Sequence, residues 1–248
     1  MAVPTRRDFV QRLGAFVIAL GYAAPRRYGG RLNARPHAPR KTITPGLVSL
    51  GLARSGDTQL YVPTGYRADH ASTLILGLHG ATQNSDFTLR ILRDAAESNG
   101  HLLLAPNSRD VTWDIIHGDF GDDERLLDSA LGWTFDRCNV DPARVVIAGF
   151  SDGASAALSL GLVNGDLFRR VAAFSPGFIV GDERHGKPSI FISHGTRDQI
   201  LPIDQTSRRI VPALKRQGYP VVFHEFAGRH QVTPEVVTAM MEWLSSTS

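Results

Sequence analysis

The sequence predicts one α/β domain, in which a mostly parallel sheet is covered by helices on both faces. From residue 46 onward, short apolar runs alternate with stretches of helical periodicity. The apolar runs are hydrophobic at nearly every position, which is typical of strands that are buried on both sides. The length of 248 residues, with 42% hydrophobic and 21% charged residues, suits one globular domain with a sizeable core.

Strands are predicted where β-branched and other apolar residues form short runs bounded by Gly, Pro, Asp or Ser. In chain order they are residues 47–52, 59–62, 73–78, 101–105, 145–150, 171–174, 189–193 and 221–226. The first two are predicted to form a hairpin, because Gly56 and Asp57 lie between them.

Helices are predicted where apolar residues recur every three or four positions. In chain order they are residues 85–98, 123–137, 152–164, 206–217 and 234–244. The first places Leu89, Leu92 and Ala96 on one face, and the last begins with Pro234, which a first helical turn tolerates.

The turn between residues 145–150 and 152–164 has the form Gly-x-Ser-x-Gly, as Gly149-Phe150-Ser151-Asp152-Gly153. A serine on such a sharp turn needs neighbours without side chains, because the strand and the helix cross closely there. The positive end of the helix then favours negative charge that develops beside the serine hydroxyl. A hydroxyl alone is a weak nucleophile, so this motif predicts a base and an orienting acid elsewhere in the chain.

An acid and a histidine follow two later strands. Asp198 comes shortly after residues 189–193, and His230 comes shortly after residues 221–226. Because the carboxyl ends of parallel strands lie at one edge of a sheet, Ser151, Asp198 and His230 are expected to meet there. Their order along the chain is the order of α/β-hydrolase triads.

Other polar residues near these positions have simpler interpretations. Asp204 precedes a predicted helix and is interpreted as its N-terminal cap rather than as the acid. His224 and Glu225 are adjacent in a strand, so one of them points away from the site. His194 lies at a strand end, where a core histidine is an alternative. The nine histidines show no metal-binding spacing, so neither a metal site nor a cofactor is predicted.

Together these motifs resemble the phospholipase/carboxylesterase group of α/β-hydrolases, with similarity to the related polyhydroxybutyrate depolymerases and feruloyl esterases. The motifs lie between about residues 59 and 244 and are Leu78-His79-Gly80, Gly149-Phe150-Ser151-Asp152-Gly153, His194-Gly195-Thr196-Arg197-Asp198, and Gly228-Arg229-His230 followed by Pro234-Glu235. The resemblance implies the α/β-hydrolase fold and ester hydrolysis without a metal. Relatives often have a small residue where this chain has Arg229, which either narrows the pocket mouth or attracts an anionic substrate.

The expected roles follow from the chemistry of acyl transfer. Ser151 attacks the ester carbonyl, His230 accepts and returns the proton, and Asp198 orients the imidazole. The backbone N–H groups of Ala81 and Asp152 are expected to form the oxyanion hole.

Three residues of the turn after residues 73–78 are expected to support that hole. Gly80 allows the backbone to approach, and Gln83 braces the loop. His79 is interpreted as a brace rather than as a base, because it precedes the turn.

The substrate pocket is predicted from loops at the same edge of the sheet. Its expected lining is His79, Gly80, Trp113, Ile115, Phe178 and Leu201. For Trp113 and Phe120, which belong to the long loop 106–122, packing in the core is the alternative. The segment 177–187 is short, which argues against a large helical lid.

The N-terminal residues 1–24 are predicted to be a twin-arginine export signal. Arg6 and Arg7 precede an apolar pair, and the uncharged run 13–24 is shorter than the ~20 residues of a transmembrane helix. Small residues at 21 and 23 suit a signal peptidase. Export to the periplasm or the medium is therefore expected, and an amphipathic N-terminal helix on a cytoplasmic protein is the alternative. Residues 25–45 are predicted to be a flexible basic linker, which leaves 46–248 as the hydrolase domain.

Charge argues against a nucleic-acid partner. Residues 1–41 hold nine basic residues and one acid, so the remainder of the chain carries −5 although the whole chain carries +3. The expected partner is a small-molecule ester, with no nucleic acid and no stable membrane insertion. The single Cys138 allows no intramolecular disulfide and is interpreted as structural.

The sequence thus predicts a serine hydrolase that cleaves short to medium acyl or aryl esters through an acyl-enzyme. A peptidase, a thioesterase or another acyl-transfer enzyme on the same triad is the alternative. A non-catalytic ligand-binding relative is a further alternative, although such proteins usually lack a triad member and none is missing here. No feature indicates an oligomeric state.

Overall fold

A computed structural model describes residues 29–52, 57–118 and 120–246, so the predicted leader at 1–24 lies outside the described residues. Within these ranges the chain forms one eight-stranded sheet in the order β1-β2-β4-β3-β5-β6-β7-β8. The strands are β1 Gly46–Ser49, β2 Gln59–Val62, β3 Ser72–Leu78, β4 Leu102–Ala105, β5 Val140–Phe150, β6 Arg170–Phe174, β7 Ser189–Gly195 and β8 Val221–Phe226. β2 pairs antiparallel with β1 and with β4, and all other pairs are parallel, which confirms the predicted hairpin and the mostly parallel sheet.

Helices cover both faces of this sheet, as predicted. They are α1 Ser85–Ser98, α2 Asp122–Phe135, α3 Asp152–Val163, α4 Ser207–Arg216 and α5 Pro234–Ser245, with short 3-10 helices at Asp114–His117 and Ile203–Gln205. One apolar cluster lies between the sheet and α1 and α5, and the other lies between the sheet and α2, α3 and α4. No helix in the described ranges is both long enough and apolar enough to cross a bilayer.

The register of the parallel strands aligns their carboxyl ends. Leu78 of β3 lies opposite Gly149 of β5, and Gly195 of β7 lies opposite Phe226 of β8. The turns that follow these strands therefore emerge at one edge of the sheet, where the candidate site is built.

Two strands are longer than the sequence pattern predicts by two residues or more. β5 begins at Val140 because this residue pairs with Ser72 before an irregular, exposed stretch, and the polar residues of that stretch hid the pairing. β7 continues through His194 and Gly195, which the sequence analysis placed in the turn, because β8 extends far enough to pair with both.

The prediction of a flexible linker over residues 25–45 is wrong for its described part, 29–45. Leu32 is only 2% exposed and packs into the core, and its N–H donates to Asn164 Oδ1. Arg31 and Arg35 both form ion pairs with Asp166, at 2.7 and 2.8 Å. Arg31 and Arg35, two of the basic residues that made this stretch look solvated, are thus paired with the domain. We refer to residues 29–45 as the N-terminal arm.

Candidate active site

Ser151 lies at the apex of a strained turn between β5 and α3. Its φ of 57° is unusual for a residue with a side chain. A Cβ on Gly149 would lie 2.1 Å from the Gly153 carbonyl oxygen, and one on Gly153 would lie 2.3 Å from the Leu78 carbonyl oxygen. Both glycines are therefore required by close backbone approach, as the motif predicts.

Ser151, His230 and Asp198 form one hydrogen-bonded chain. Ser151 Oγ lies 2.8 Å from His230 Nε2, and His230 Nδ1 lies 2.6 Å from Asp198 Oδ2. Because the carboxylate can only accept, Nδ1 carries the proton and Nε2 accepts from the serine hydroxyl. The Phe150 ring packs 4.8 Å from the imidazole and supports it from one side. The structure thus brings the three predicted residues together.

The Asp198 carboxyl is buried but surrounded by donors. Burial alone would raise its pKa, but hydrogen bonds from His194, His230 and the N–H of Leu201 lower the pKa well below its usual range. Its Oδ1 also accepts from the N–H of Ile200, at 2.9 Å. Asp198 is therefore an anion at neutral pH and can orient and stabilise an imidazolium.

The backbone N–H groups of Ala81 and Asp152 are available beside the serine. Among the described residues, neither group donates a hydrogen bond. The neighbouring N–H groups are occupied: that of Gly80 donates to Gln83 Oε1, and that of Thr82 donates to the Val111 carbonyl. The turn is therefore held on both sides of Ala81, and the N–H of Ala81 has no acceptor among the described residues.

His79 braces this turn from below. Its Nε2 accepts from the N–H of Ser108 at 3.0 Å, so Nδ1 carries the proton and donates to the Gly80 carbonyl at 2.8 Å. Burial lowers its pKa, which favours the neutral ring that these two bonds need. His79 is 1% exposed and both of its ring nitrogens are bonded to backbone groups, in agreement with a brace rather than a base.

Trp113 and Ile115 do not line an open pocket, and this part of the prediction is wrong. Each is only 1% exposed and belongs to the core. The Trp113 indole N–H donates to the His79 carbonyl, and its ring lies 4.8 Å from the His79 ring. The aromatic side chain of the loop is buried because its one polar atom finds a partner in the backbone of the neighbouring turn.

Phe178 and Leu201 are half-buried apolar side chains. The Leu201 side chain lies against Gly177, where an added Cβ would meet it at 3.4 Å. Gly177 in turn donates its N–H to Ser155 Oγ, one helical turn beyond Ser151. Of the apolar residues predicted to line the pocket, Phe178 and Leu201 are the two that are only half-buried.

The segment between β6 and β7 contains no helix and is tied along α3. The N–H groups of Gly177, Val180 and His185 donate to Ser155 Oγ, Ser159 Oγ and the Leu162 carbonyl, respectively. We call this set of three bonds the α3 ladder. It agrees with the expectation that no large lid covers the site.

The competing residues lie away from the serine. Asp204 is in the 3-10 helix before α4 and pairs with Arg208 at 2.8 Å, while Thr206 occupies the N-cap position. The prediction of Asp204 as a cap is therefore wrong, because α4 starts three residues later. Glu225 binds Arg208, whereas the His224 ring packs near Phe191, so the two point to opposite faces.

Two polar contacts near the site were missed from the sequence. The Thr112 hydroxyl donates to Asp152 Oδ2 at 2.7 Å, and burial raises the pKa of that carboxyl. His194 lies between Ser207 and Asp198, and its Nε2 is 3.2 Å from the same Asp198 oxygen that His230 binds. Neither pair has a sequence signal, because Thr112 lies in an irregular loop and a strand-end histidine resembles a core residue. Among the described residues, no cluster of three or more His, Cys, Asp or Glu side chains could hold a metal ion.

Comparison with known families gives a match over the second half of the chain. The sequence model of a family described as Phospholipase/Carboxylesterase matches residues 116–248, more than half of the chain. This range includes Ser151, Asp198 and His230 and begins after the His79-Gly80 turn. In a comparison with curated proteins, none matches this chain.

Several solved structures share the fold. Esterase PE8 is 20% identical with a TM-score of 0.61, over 82% of this chain and 98% of that one. The Bacillus cereus carboxylesterase is 21% identical with a TM-score of 0.57, over 70% and 87%. Thermogutta terrifontis esterase 2, in a structure phosphorylated by paraoxon, is 18% identical with a TM-score of 0.66, over 82% and 94%. At these identities the similarity shows the α/β-hydrolase fold.

Proposed function

Because the chain belongs to the phospholipase/carboxylesterase family of α/β-hydrolases, we propose that it cleaves carboxylic esters through an acyl-enzyme formed on Ser151. The observation that carries the proposal is the chain of hydrogen bonds from Ser151 Oγ to His230 Nε2 at 2.8 Å and from His230 Nδ1 to Asp198 Oδ2 at 2.6 Å. A hydroxyl, an imidazole and a carboxylate in this order are the parts that an activated serine needs.

In the first half of the reaction, Ser151 Oγ bonds to the ester carbonyl carbon while its proton moves to His230 Nε2. The carbonyl oxygen becomes an oxyanion and accepts from the N–H groups of Ala81 and Asp152, which have no other acceptor among the described residues. The carbon–oxygen bond to the alcohol then breaks, and the alcohol leaves with the proton from His230. The product of this half is the acyl-enzyme.

In the second half, water takes the place of the alcohol. His230 accepts a proton from water, whose oxygen bonds to the acyl carbon, and the Ser151–acyl bond then breaks with return of the proton to Ser151. Asp198 stays ionised throughout, because its donors hold its pKa low. Its negative charge stabilises the imidazolium that forms twice in each cycle.

We propose that the substrates are esters with short to medium acyl groups or aryl groups. Phe178 and Leu201 offer half-buried apolar surface, and the segment between β6 and β7 forms no helical cover. Each methylene that such a surface buries contributes up to ~0.8 kcal/mol until the available length is filled. We therefore expect kcat/KM to rise from acetyl to about butyryl or hexanoyl esters and then to fall, without an increase when the substrate forms micelles.

The test combines Ser151→Ala with a substrate panel. A fluorophosphonate probe should label the parent and not the variant, and turnover should fall by about 10⁶-fold. Retained activity or labelling at another residue would remove Ser151 from its role. Nitrophenyl esters of increasing acyl length, a feruloyl ester, a thioester and a peptide then separate the esterase from its alternatives. A thioester or peptide preferred over every oxygen ester would contradict the substrate class.

We also propose export through the twin-arginine route, on the basis of Arg6-Arg7 and the uncharged run at 13–24. Replacing Arg6 and Arg7 with Lys keeps the charge and should stop export of a reporter fused to residues 1–41. Export that continues in the double Lys variant would contradict this route.

A further inference from the structure

His194 and His230 both lie against the same carboxylate oxygen, Asp198 Oδ2. The His194 ring is fully buried at the end of β7, and its Nε2 lies 2.8 Å from the Leu201 carbonyl oxygen and 3.2 Å from Asp198 Oδ2. Both neighbours of Nε2 are acceptors, so this nitrogen carries a proton. Asp198 Oδ2, which accepts from His230, therefore faces a second N–H dipole.

The opposite ring nitrogen fixes this tautomer. His194 Nδ1 lies 2.7 Å from Ser207 Oγ at the start of α4, and within the described chain that hydroxyl has no other acceptor. The Ser207 O–H therefore donates to Nδ1, and the ring carries its proton on Nε2. Ser207, His194, Asp198, His230 and Ser151 form one continuous polar chain from α4 to α3.

From this geometry we propose that His194 is a positioning residue for the reaction. It holds the Asp198–Leu201 turn, and its N–H stabilises the negative charge of the carboxylate that accepts from His230. The inference rests on the triad roles proposed above. Leu201 is clasped on both sides, because its N–H donates to Asp198 Oδ1 and its carbonyl accepts from His194. Loss of the His194 donor would leave the Asp198 carboxylate less fixed in position. It would also leave its negative charge less stabilised, so the negative potential at His230 would be stronger.

A more negative carboxylate holds the proton on His230 more tightly. The acid side of the kcat/KM profile should then move to higher pH, because the imidazole has to be free of that proton to act as a base. Other charged groups face this cluster: Glu225 of β8 lies opposite His194 and is paired with Arg208 of α4, which also binds Asp204. Asp152 of α3 faces His230, and Arg229 precedes it. All of these groups are the same in every variant below, so they do not contribute to the differences.

The test uses two amides that imitate different halves of the ring. His194→Gln can place an amide N–H near the Nε2 position, whereas His194→Asn reaches only the Nδ1 position and Ser207. With nitrophenyl butyrate, we expect His194→Asn to lower kcat by about 10-fold or more with little change in KM, and to move the acid limb up by about 0.5–1 pH unit. His194→Gln should keep the parent's acid limb and most of its kcat.

The matched controls are His224→Asn and His224→Gln, which change a half-buried histidine of the adjacent strand that lies opposite Ser193. Both should keep the parent's pH profile. If His194→Asn does not fold by circular dichroism, His194→Leu replaces it, since it also lacks the donor and carries the same expectation. An unmoved acid limb in the variant without a donor, or equal behaviour of Asn and Gln, would overturn the inference. Activity that survives Ser151→Ala would instead refute the proposed function, so the two failures are distinguishable.

Discussion

At the scale of the residue, Asp198 and Asp204 differ in what surrounds them. Asp198 is buried with donors on both oxygens, whereas Asp204 is exposed and pairs with Arg208. We expect Asp198→Asn to lower kcat on nitrophenyl butyrate by about 10⁴-fold, because an amide imposes the wrong imidazole tautomer. Asp204→Asn should leave kcat within about 2-fold, since an exposed ion pair contributes ~0–1 kcal/mol to stability. If Asp204→Asn lowered kcat far more than Asp198→Asn, Asp204 and not Asp198 would be the acid that orients His230.

Trp113 connects the core to the turn after β3 through a hydrogen bond from its indole N–H to the His79 carbonyl oxygen. Removing its buried ring in Trp113→Ala should lower the free energy of unfolding by about 3–5 kcal/mol. Because the indole also holds the His79 carbonyl, kcat should fall on esters of every acyl length, with the preferred length unchanged. Urea unfolding and the nitrophenyl ester series measure the two effects.

Leu201→Ala is the contrasting variant for this prediction. Leu201 is half-buried against Gly177, so its loss should cost less stability and should shift the preferred acyl length. If the preferred acyl length changed in Trp113→Ala and not in Leu201→Ala, Trp113 and not Leu201 would line the substrate pocket.

These residues show what a sequence can reveal about a site. Ser151, Asp198 and His230 were predictable, because each follows a strand and their chain order is informative. The burial of Trp113 was not, because it depends on a hydrogen bond to a backbone carbonyl 34 positions earlier in the chain. His194 was ambiguous for a similar reason: its partners Leu201 and Ser207 become neighbours only after β7 and α4 pack together.

At the scale of the element, the start of α2 carries two buried carboxyl groups. Burial raises the pKa of Glu124 to about 8 and that of Asp123 to about 7, although both accept hydrogen bonds from backbone N–H groups. A carboxyl whose pKa is higher in the folded state than its ordinary 4.5 binds its proton more tightly when folded. The contribution of Glu124 to stability is therefore complete below pH 4.5 and is lost as the pH rises toward about 8.

Glu124→Gln should therefore flatten this pH dependence. The amide is neutral at every pH, and its oxygen can still accept from the N–H of Gly121. We expect the variant to gain stability relative to the parent as the pH is raised from 5 to 8, measured as the midpoint of urea unfolding. Glu235→Gln at the exposed start of α5 is the control. Hydrogen bonds lower the pKa of Glu235, so its carboxyl group stays ionised throughout this pH range. A constant difference between the Glu124 variant and the parent over this range would contradict the prediction.

Element boundaries were predictable where a local signal ends them. The bounds of α1 agree with the prediction, and Asn84 caps its start by accepting from the N–H of Phe87. The early start of β5 at Val140 had no such signal, because it depends on pairing with Ser72 of another strand. Local chemistry is legible in the sequence, whereas pairing between distant segments is not.

At the scale of the whole molecule, the N-terminal arm is part of the folded domain. Leu32→Ala should lower the free energy of unfolding by about 2–3 kcal/mol, because it empties a buried position in the core. The kcat/KM for nitrophenyl butyrate should not change, since Leu32 packs near the C-terminal end of α3, far from Ser151 at its start. Leu47→Ala, at a position that is 50% exposed, is the control and should cost little. Equal stability of the two variants would favour the flexible linker.

The sheet and its helical layers were predictable from alternating patterns along the chain, but the arm was not. Its composition of Pro, Gly and Arg is typical of a solvated linker. Its order arises from partners that lie more than 90 positions away, such as Asp128, which accepts from the N–H groups of Asn33 and Ala34.

The α3 ladder has a consequence for how substrates are chosen. Its three hydrogen bonds hold the backbone on both sides of Phe178 against the helix that begins at the nucleophile. In the proposed reaction, an ester whose acyl group contacts Phe178 does not have to order this segment, so binding loses little free energy to conformational entropy. A rigid segment of this kind selects by shape: acyl groups that fit bind without rearrangement of the backbone, and acyl groups that do not fit bind poorly because the backbone cannot adjust to them.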